Sequence, residues 1–483
     1  MTKVMKIITW TLRVFIGLLV IFVAFNQFDA GKFTAVFQAQ DFPPVSFNVE
    51  NGYYRLMALG EAQETDIMAE PTVIKYRRLF DPQYDNKKYI EEWDHSAYRN
   101  MFGKELEFIR SKIRKTSTGR SNWIDGFINL EADWSETVLA SEENILAVKS
   151  RWQGYLDRYQ KMLECKQFED FSLPQPQYIT PNLLAWLQVG RVYIVVNMLD
   201  AMQGNWDQGV RNLLAHVDFC KRSVAGSRLL INNLIAKAMT RNTLYGLVSL
   251  MNRQECPKEI YQTILNGLPP IRYEEYGGRK SLMFEYLLGR PTKESINLIY
   301  KDLNGFNRMV LRLLFQENRS QKYFYDIMAT VARYDQTPPS QWNPGLEKLQ
   351  PQEPSDKGWF WWLQNPTGKN MLYKSSMWTN STGMFHSIVP KSHQLKILYD
   401  LTRVSAELHL KYDPEKPVME TLLTLDTYKT PDPGSENGKP YSWNEQKHLL
   451  YGLGIDRKDD NGKMDYGNPL DSDFAIPVIL YVK

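Results

Sequence analysis

Apolar residues recur at helical spacing over most of the chain between residues 49 and 335. Such a period predicts amphipathic helices, each with one face towards a shared core. The stretch 141–163 shows it well, with a serine at the N-cap position and an apolar stripe from Ile145 to Tyr159. The pattern therefore predicts a large α-helical domain over residues 49–335.

Residues 181–252 give the clearest helical pattern, in which amphipathic segments are separated by short polar turns. A helix, a Gly-Asn-Trp-Asp turn and a second helix resemble one tetratricopeptide-like hairpin. A true array would repeat this unit at a fixed period, and no such repeat follows. An antiparallel helical bundle is therefore the favoured arrangement, with a solenoid as the alternative.

A different pattern begins after a segment rich in Pro and polar residues, 336–358, which we interpret as a linker. Residues 392–412 form an amphipathic pattern that predicts a helix, and Ser392 is a suitable N-cap for it. Alternating apolar residues on both sides of a four-residue Asn-Glu-Gln-Lys turn then predict a β-hairpin over 441–454. A closing apolar strand contains Pro477, which suits a sheet edge. Residues 359–483 are therefore predicted to form a small α+β module.

The N-terminal 26 residues begin with basic side chains and continue into a long apolar run. Counted from Ile7 to Phe25 the run has 19 residues, enough to span a bilayer if Arg13 reaches the interface. The basic residues precede the run, which predicts a cytoplasmic N-terminus and an exported body. The competing interpretation is a cleaved signal peptide, because the uninterrupted apolar part begins only at Val14. Residues 27–48 are predicted to be an extended linker.

These features predict a bacterial inner-membrane protein with a single-pass signal-anchor helix and most of the chain in the periplasm. If the N-terminal segment is cleaved, a periplasmic or secreted protein is predicted instead. Three cysteines, Cys165, Cys220 and Cys256, would in that compartment allow one bridge, such as Cys220–Cys256. Lys and Arg total 58 against 55 Asp and Glu, and without a basic face we expect no nucleic-acid partner.

A carboxylate-rich loop, 456–473, lies between the hairpin and the closing strand. The order of helix, Pro-Tyr, Tyr-Gly-Leu-Gly-Ile-Asp, acidic loop and final strand over 392–483 resembles the headgroup of type II secretion major pseudopilins. The pseudopilin processing site is missing here, so the resemblance concerns the headgroup fold alone. It implies a bound calcium ion with Asp456, Asp471, Asp473 and the Leu453 carbonyl as ligands. The glycine that normally follows the first aspartate is Arg457 in this chain.

The loop also permits two other interpretations, a solvated acidic turn and a pair of catalytic carboxylates. Calcium needs six to eight oxygen ligands, which a loop of this composition can supply. A catalytic pair would need one buried acid in a cleft, and a loop rich in Gly and Asn is a poor place for it. The sequence therefore favours a calcium site or a solvated turn over catalysis.

No HExxH, P-loop, GxGxxG or GxSxG motif occurs, and the six histidines show no metal-binding spacing. The leading hypothesis is therefore a structural or interaction protein of the cell envelope, with protein partners bound by the helical domain. Two alternatives remain, an enzyme with its site in a groove of the helical domain and a glycan- or lipid-binding protein. The second would use the aromatic run Trp359–Trp362, for which burial between two domains is the favoured interpretation.

Overall fold

The computed structural model describes residues 50–61, 65–69, 102–113, 134–172, 180–294, 300–302, 304–342, 377–464 and 472–481, with isolated positions 10, 11, 13, 17, 35, 72, 74–76, 365 and 367. The predicted N-terminal membrane segment, the predicted linker 27–48, most of the predicted linker 336–358 and the aromatic run Trp359–Trp362 lie outside the described residues or touch them only at single positions.

The described chain is mainly α-helical and ends in a small sheet, as predicted. The helices are α1 (Gly52–Ala58), α2 (Gly103–Ile113), α3 (Trp134–Ala140), α4 (Glu142–Arg151), α5 (Gln153–Leu163), α6 (Leu183–Met202), α7 (Trp206–Gly226), α8 (Leu230–Met251), α9 (Lys258–Gly267), α10 (Arg279–Gly289), α11 (Gly305–Leu313), α12 (Glu317–Gln336), α13 (Met377–Lys411) and α14 (Val418–Thr424). The strands are β1 (Ser442–Asn444), β2 (Leu449–Gly452) and β3 (Phe474–Pro477).

Two compact units make up the chain. The first comprises Met1–Pro43, Glu285–Arg333 and Asn343–Ser387, and its described part contains α11 and most of α12. The second comprises Pro44–Phe284, Tyr334–Trp342 and Ile388–Lys483. The second unit therefore contains both the described helices up to α9 and the C-terminal sheet.

Helices α6, α7 and α8 form the centre of the second unit, and each packs against the other two. Three-residue connections join them, so α6 and α8 run parallel and α7 runs antiparallel to both. Helix α6 starts after Asn182, whose side chain accepts a hydrogen bond from the Ala185 amide (3.1 Å). Among the described helices α6 alone is long and apolar enough to cross a membrane, and thirteen of its residues are buried in the unit.

Helix α8 receives its N-terminal cap from a distant part of the chain. Its own N-cap residue, Leu229, cannot accept a hydrogen bond with its side chain. The buried carboxylate of Asp170 instead accepts bonds from the Arg228 and Leu229 amides (both 3.0 Å) and from the Asn232 side chain (2.9 Å). A carboxylate at this position also interacts favourably with the helix dipole.

Helix α13 is a core helix and not one side of a separate module. From Ile388 to Leu408 only Lys391 is exposed, and a helix buried on every side lies inside a core. Its apolar residues belong to the same hydrophobic cluster as those of α6–α8. The prediction that Ser392 caps this helix was wrong, because α13 begins at Met377 and Ser392 is buried within it.

The contacts thus divide the chain differently from the predicted boundaries at 335 and 359. Within the predicted linker, Pro339–Gln341 form a short 3-10 helix, and the Ser340 amide donates to the Pro433 carbonyl (3.0 Å). The physical reason is that a helix buried on all sides, with both apolar and polar side chains, needs partners on all sides. A small three-stranded sheet covers only one of them.

The sheet has the predicted hairpin and closing strand, in the order β1-β2-β3 with antiparallel pairing throughout. Trp443 lies opposite Leu450, and Leu449 lies opposite Pro477 at the end of the edge strand. Asn252, just after α8, holds this edge, donating to the Pro477 carbonyl (2.9 Å) and accepting from the Ile479 amide (3.0 Å). The three cysteines are buried free thiols, so the suggested bridge between Cys220 and Cys256 is not formed.

Candidate functional site

The predicted calcium ligands lie in the connection between β2 and β3. Leu453 and Asp456 follow β2 and Asp473 precedes β3, whereas Asp471 belongs to the stretch 465–471 outside the described residues. The two ends of the connection touch, because a Cβ atom on Gly454 would lie only 2.2 Å from the Ser472 carbonyl oxygen. The fold therefore brings Leu453 and Asp456 close to Asp473.

Asp473 closes this loop with its own carboxylate. Its Oδ2 atom accepts hydrogen bonds from the amides of Asp460 (2.9 Å) and Gly462 (3.0 Å), and its own amide donates to the Lys463 carbonyl (3.1 Å). Gly462 has a φ of 72°, a left-handed conformation that suits glycine. The side chain of Asp473 is fully buried, and its Oδ1 atom has no hydrogen-bond partner in the structure.

Two other loop carboxylates also bind backbone amides. Asp456 accepts from the Lys458 amide (3.2 Å), and Asp459 accepts from the Asn461 amide (2.9 Å) and the Tyr451 hydroxyl (3.0 Å). Arg457, where pseudopilins normally have glycine, has a φ of 61° and so adopts the conformation that glycine favours. In the described part of the loop the carboxylates thus accept hydrogen bonds from nearby backbone amides. Neither the calcium-site hypothesis nor the solvated-turn hypothesis predicted this arrangement.

The described donors do not complete a calcium site. No three His, Cys, Asp or Glu side chains among the described residues converge as metal ligands. The Leu453 carbonyl already accepts a hydrogen bond from Nε2 of His393 (2.9 Å), and one oxygen of Asp473 is bonded to two amides. Oδ1 of Asp473 is a buried oxygen without a hydrogen-bond partner, whereas calcium takes six to eight oxygen ligands.

Beneath the loop lies a second buried carboxylate, Asp432. Its two oxygens accept from the Gly434 and Leu453 amides (both 2.8 Å). Burial raises its pKa to about 7, assisted by the negative charges of Asp473 and Asp400 and opposed by the two amides. Burial likewise raises the pKa of Asp473 to about 6. The module therefore contains carboxyl groups that take up protons close to neutral pH.

Two side chains of α13, His393 and Asp400, lie next to these buried carboxylates. Burial lowers the pKa of His393 to about 4, so its imidazole is neutral and donates to the Leu453 carbonyl from Nε2. Asp400 accepts from Lys396 and from the Tyr441 hydroxyl (2.7 Å) through one oxygen. Both residues therefore join the helix to the sheet.

Lys237 of α8, Asp335 of α12 and Ser392 of α13 form a second buried cluster. The Lys237 ammonium lies 2.7 Å from the Ser392 hydroxyl and 3.7 Å from the Asp335 carboxylate. Asp335 also accepts from the Ser392 hydroxyl and from the Gly278 amide. The cluster thus connects three helices whose residues are more than fifty positions apart in the chain.

A serine beside a lysine is the residue pair of some activated nucleophiles, but the geometry here is different. The Ser392 hydroxyl donates to Asp335 and accepts from Lys237, and burial lowers the pKa of this lysine. All three side chains are at most 2% exposed, which closes the hydroxyl to any substrate. The arrangement is therefore a buried ion pair bridged by a hydroxyl.

The sequence did not identify Asp432, His393 or the residues of the Lys237 cluster as members of buried polar clusters. Polar residues within an apolar helix, such as Lys396 and Asp400 at i and i+4, were the available signal that α13 carries buried charges. Their distant partners left no local pattern.

No protein family, curated protein or solved structure matches this chain.

The raised pKa of Asp432 predicts a specific pH dependence. The folded chain keeps a proton there that an unfolded chain, with an aspartate pKa of about 3.9, has released. The stability from this group is therefore fully present below pH ~4 and lost as the pH rises through about 7. Asp432→Asn cannot titrate, so its free energy of unfolding relative to the wild type should increase between pH ~4 and ~7, as measured by urea denaturation.

Two comparisons isolate the effect. His393 has the opposite dependence, since its stability is present above pH ~6.5 and lost as the pH falls through about 4, but both chains contain it and it cancels in the difference. Asp426→Asn, which removes an exposed carboxyl of the same region, is the matched control. A flat difference for Asp432→Asn would show that this carboxyl does not titrate in that range.

Removing the buried lysine should be costly. In Lys237→Met the Asp335 carboxylate stays buried without its cation, and we expect a loss of about 3–5 kcal/mol in the free energy of unfolding. The matched control is Arg211→Met, which breaks an ion pair whose side chains are both 63% exposed and should cost less than about 1 kcal/mol. Equal losses in the two variants would contradict the structural role of the cluster.

Calcium binding stays a prediction of the sequence, and thermal unfolding tests it. If Oδ1 of Asp473 binds calcium, the midpoint of unfolding should rise in calcium relative to a chelator, and Asp473→Asn should abolish this difference. The stability of the variant alone decides nothing, because Asp473 also binds two amides. An identical midpoint with calcium and with chelator would reject the calcium site.

Proposed function

We propose that this protein is an exported, membrane-attached structural and interaction protein of the bacterial cell envelope. The N-terminal apolar run with its preceding basic residues supports attachment to the inner membrane and a periplasmic body. The helical body would bind protein partners. The C-terminal helix and sheet would complete that body.

The observation that supports this proposal most is that the potentially reactive side chains of the second unit described above are buried. Ser392, Lys237 and Asp335 are buried together, and Asp432 and His393 are buried beneath the loop. Each has hydrogen-bond partners within the protein that connect distant elements of the fold. Side chains arranged in this way stabilise one conformation and offer no reactive group to a substrate, which favours a structural role over catalysis.

A pseudopilin-like C-terminal module forms part of the proposal. A long helix, an antiparallel three-stranded sheet and a carboxylate-rich loop before the last strand support it. In this chain the helix of that module shares the hydrophobic cluster of α6–α8. We therefore propose that a headgroup-like arrangement serves here as one wall of a helical body.

The partner surface we propose is the end of the bundle where α6 and α8 begin. These helices run parallel, so their N-termini lie at the same end. Leu184 and Ile231, each the second residue of its helix, are 42% and 41% exposed. We propose that these two exposed apolar side chains contribute to one protein interaction surface.

Site-specific photocrosslinking in intact cells tests this function. A photoreactive phenylalanine analogue at Leu184 or Ile231 should join the membrane-extracted protein to the same discrete partner, visible as a shifted band and identifiable by mass spectrometry. The matched control is the analogue at Asp207, which is exposed at the start of α7 and so lies at the opposite end of the bundle. Absence of a partner at all three positions, or equal capture at Asp207, would count against a partner surface at this end.

A further inference from the structure

Helix α11 of the first unit is amphipathic, and its outward face is apolar. Phe306 is 67% exposed, Met309 50% and Leu313 39%, and none of the nine residues of the helix is buried. At 3.6 residues per turn these three side chains and Val310 fall within an arc of about 100°. Exposed large apolar side chains therefore form a continuous stripe on one side of the helix.

The opposite side of α11 attaches it to its own unit. Leu311, about 150° from the centre of the stripe, packs against a small buried cluster of Tyr300 and Phe315. Asn304 caps the helix by accepting a hydrogen bond from the Asn307 amide (2.8 Å). The helix is thus formed and held by local contacts, and Phe306 and Met309 of its apolar stripe remain at least half exposed.

Basic side chains accompany the stripe. Arg312 lies beside it, Arg308 lies about 150° from its centre, and the helix contains no acidic residue. The adjoining Lys301 and Asp302 are both exposed and offset one another, and the charge of Arg312 contributes to a lowered pKa of Glu294. An apolar face with arginine along its polar flank is the composition of helices that lie in the interface of an anionic bilayer.

The size of the stripe distinguishes lipid from protein as its partner. With ~200 Å² for a large side chain, the three exposed residues offer about 300 Å², whereas a stable protein interface needs about 800 Å² on each side. Shallow insertion beside an existing anchor requires no such area. The same unit also includes residues 1–43, which contain the predicted membrane segment.

We propose that α11 lies in the headgroup region of the membrane, with Phe306, Met309 and Leu313 among the acyl chains and Arg312 on an anionic phosphate. The proposal rests on the proposed membrane attachment of the chain. It adds a second contact with the same bilayer, which would set the orientation of the first unit against the membrane surface.

Fluorescence quenching in vesicles tests this placement in the full-length chain. Met309→Cys and, as matched control on the polar flank, Asn307→Cys are labelled with nitrobenzoxadiazole and reconstituted into vesicles of phosphatidylethanolamine and phosphatidylglycerol. Wild-type chain labelled in parallel corrects for the three native cysteines, all of which are buried. Lipids spin-labelled near the headgroup should remove most of the fluorescence at position 309 and little at position 307.

Two further variants refine the test. Adding Phe306→Ser and Leu313→Ser to Met309→Cys should reduce quenching at 309 to the level of the control position, because the stripe is lost. Replacing phosphatidylglycerol with phosphatidylcholine, or Arg308 and Arg312 with Gln, should weaken quenching at 309. Unchanged quenching in these arms would show that the label and not the helix contacts the lipid.

Vesicle flotation separates failure of this inference from failure of the proposed function. Chain that floats with the vesicles but shows equal, weak quenching at 309 and 307 is attached to the membrane without α11, and the inference is then overturned. Chain that does not float overturns membrane attachment and this inference together. A protein crosslinked through position 309 in cells, with no quenching in pure lipid, would replace the bilayer with a protein partner.

Discussion

A polar group buried inside a protein needs a hydrogen-bond or ionic partner there. Helix α13 carries several such groups within the core of the second unit. A buried charge without a partner costs several kcal/mol. Ser392 meets the requirement through α8 and α12, His393 through the loop after β2, and Asp400 through β1. Since each partner lies on a different element, satisfying all of them at once specifies how those elements pack around the helix.

The same principle explains the acidic loop. A run of aspartates on an exposed connection would repel one another, and calcium is one way to hold them together. Here backbone amides stabilise the carboxylates. Two amides donate to Asp473, one to Asp456 and one to Asp459. The described part of the loop is held by these hydrogen bonds, and burial raises the pKa values of Asp432 and Asp473 to about 7 and about 6.

Local patterns in the sequence were sufficient for the elements whose stability is local. The central helices, the hairpin and the edge position of Pro477 were predicted from period and turn chemistry alone, although the turn is Glu445–His448 and not the predicted Asn444–Lys447. The site was predictable only in part, since the aspartates identified the loop but not the amides that bind them. The role of Ser392 was missed because a serine near a helical pattern suggests a cap, and only a contact 155 residues away shows otherwise.

The bond between Asn252 and the last strand also determines when folding can finish. It joins positions 225 and 227 residues apart, so the end of α8 and the edge of the sheet remain incomplete until residues 477–479 have been made. Contacts of such long range form late, because the entropy of closing the loop must be overcome first. If the chain is exported as we propose, this topology would delay its folding until nearly all of it has crossed the membrane.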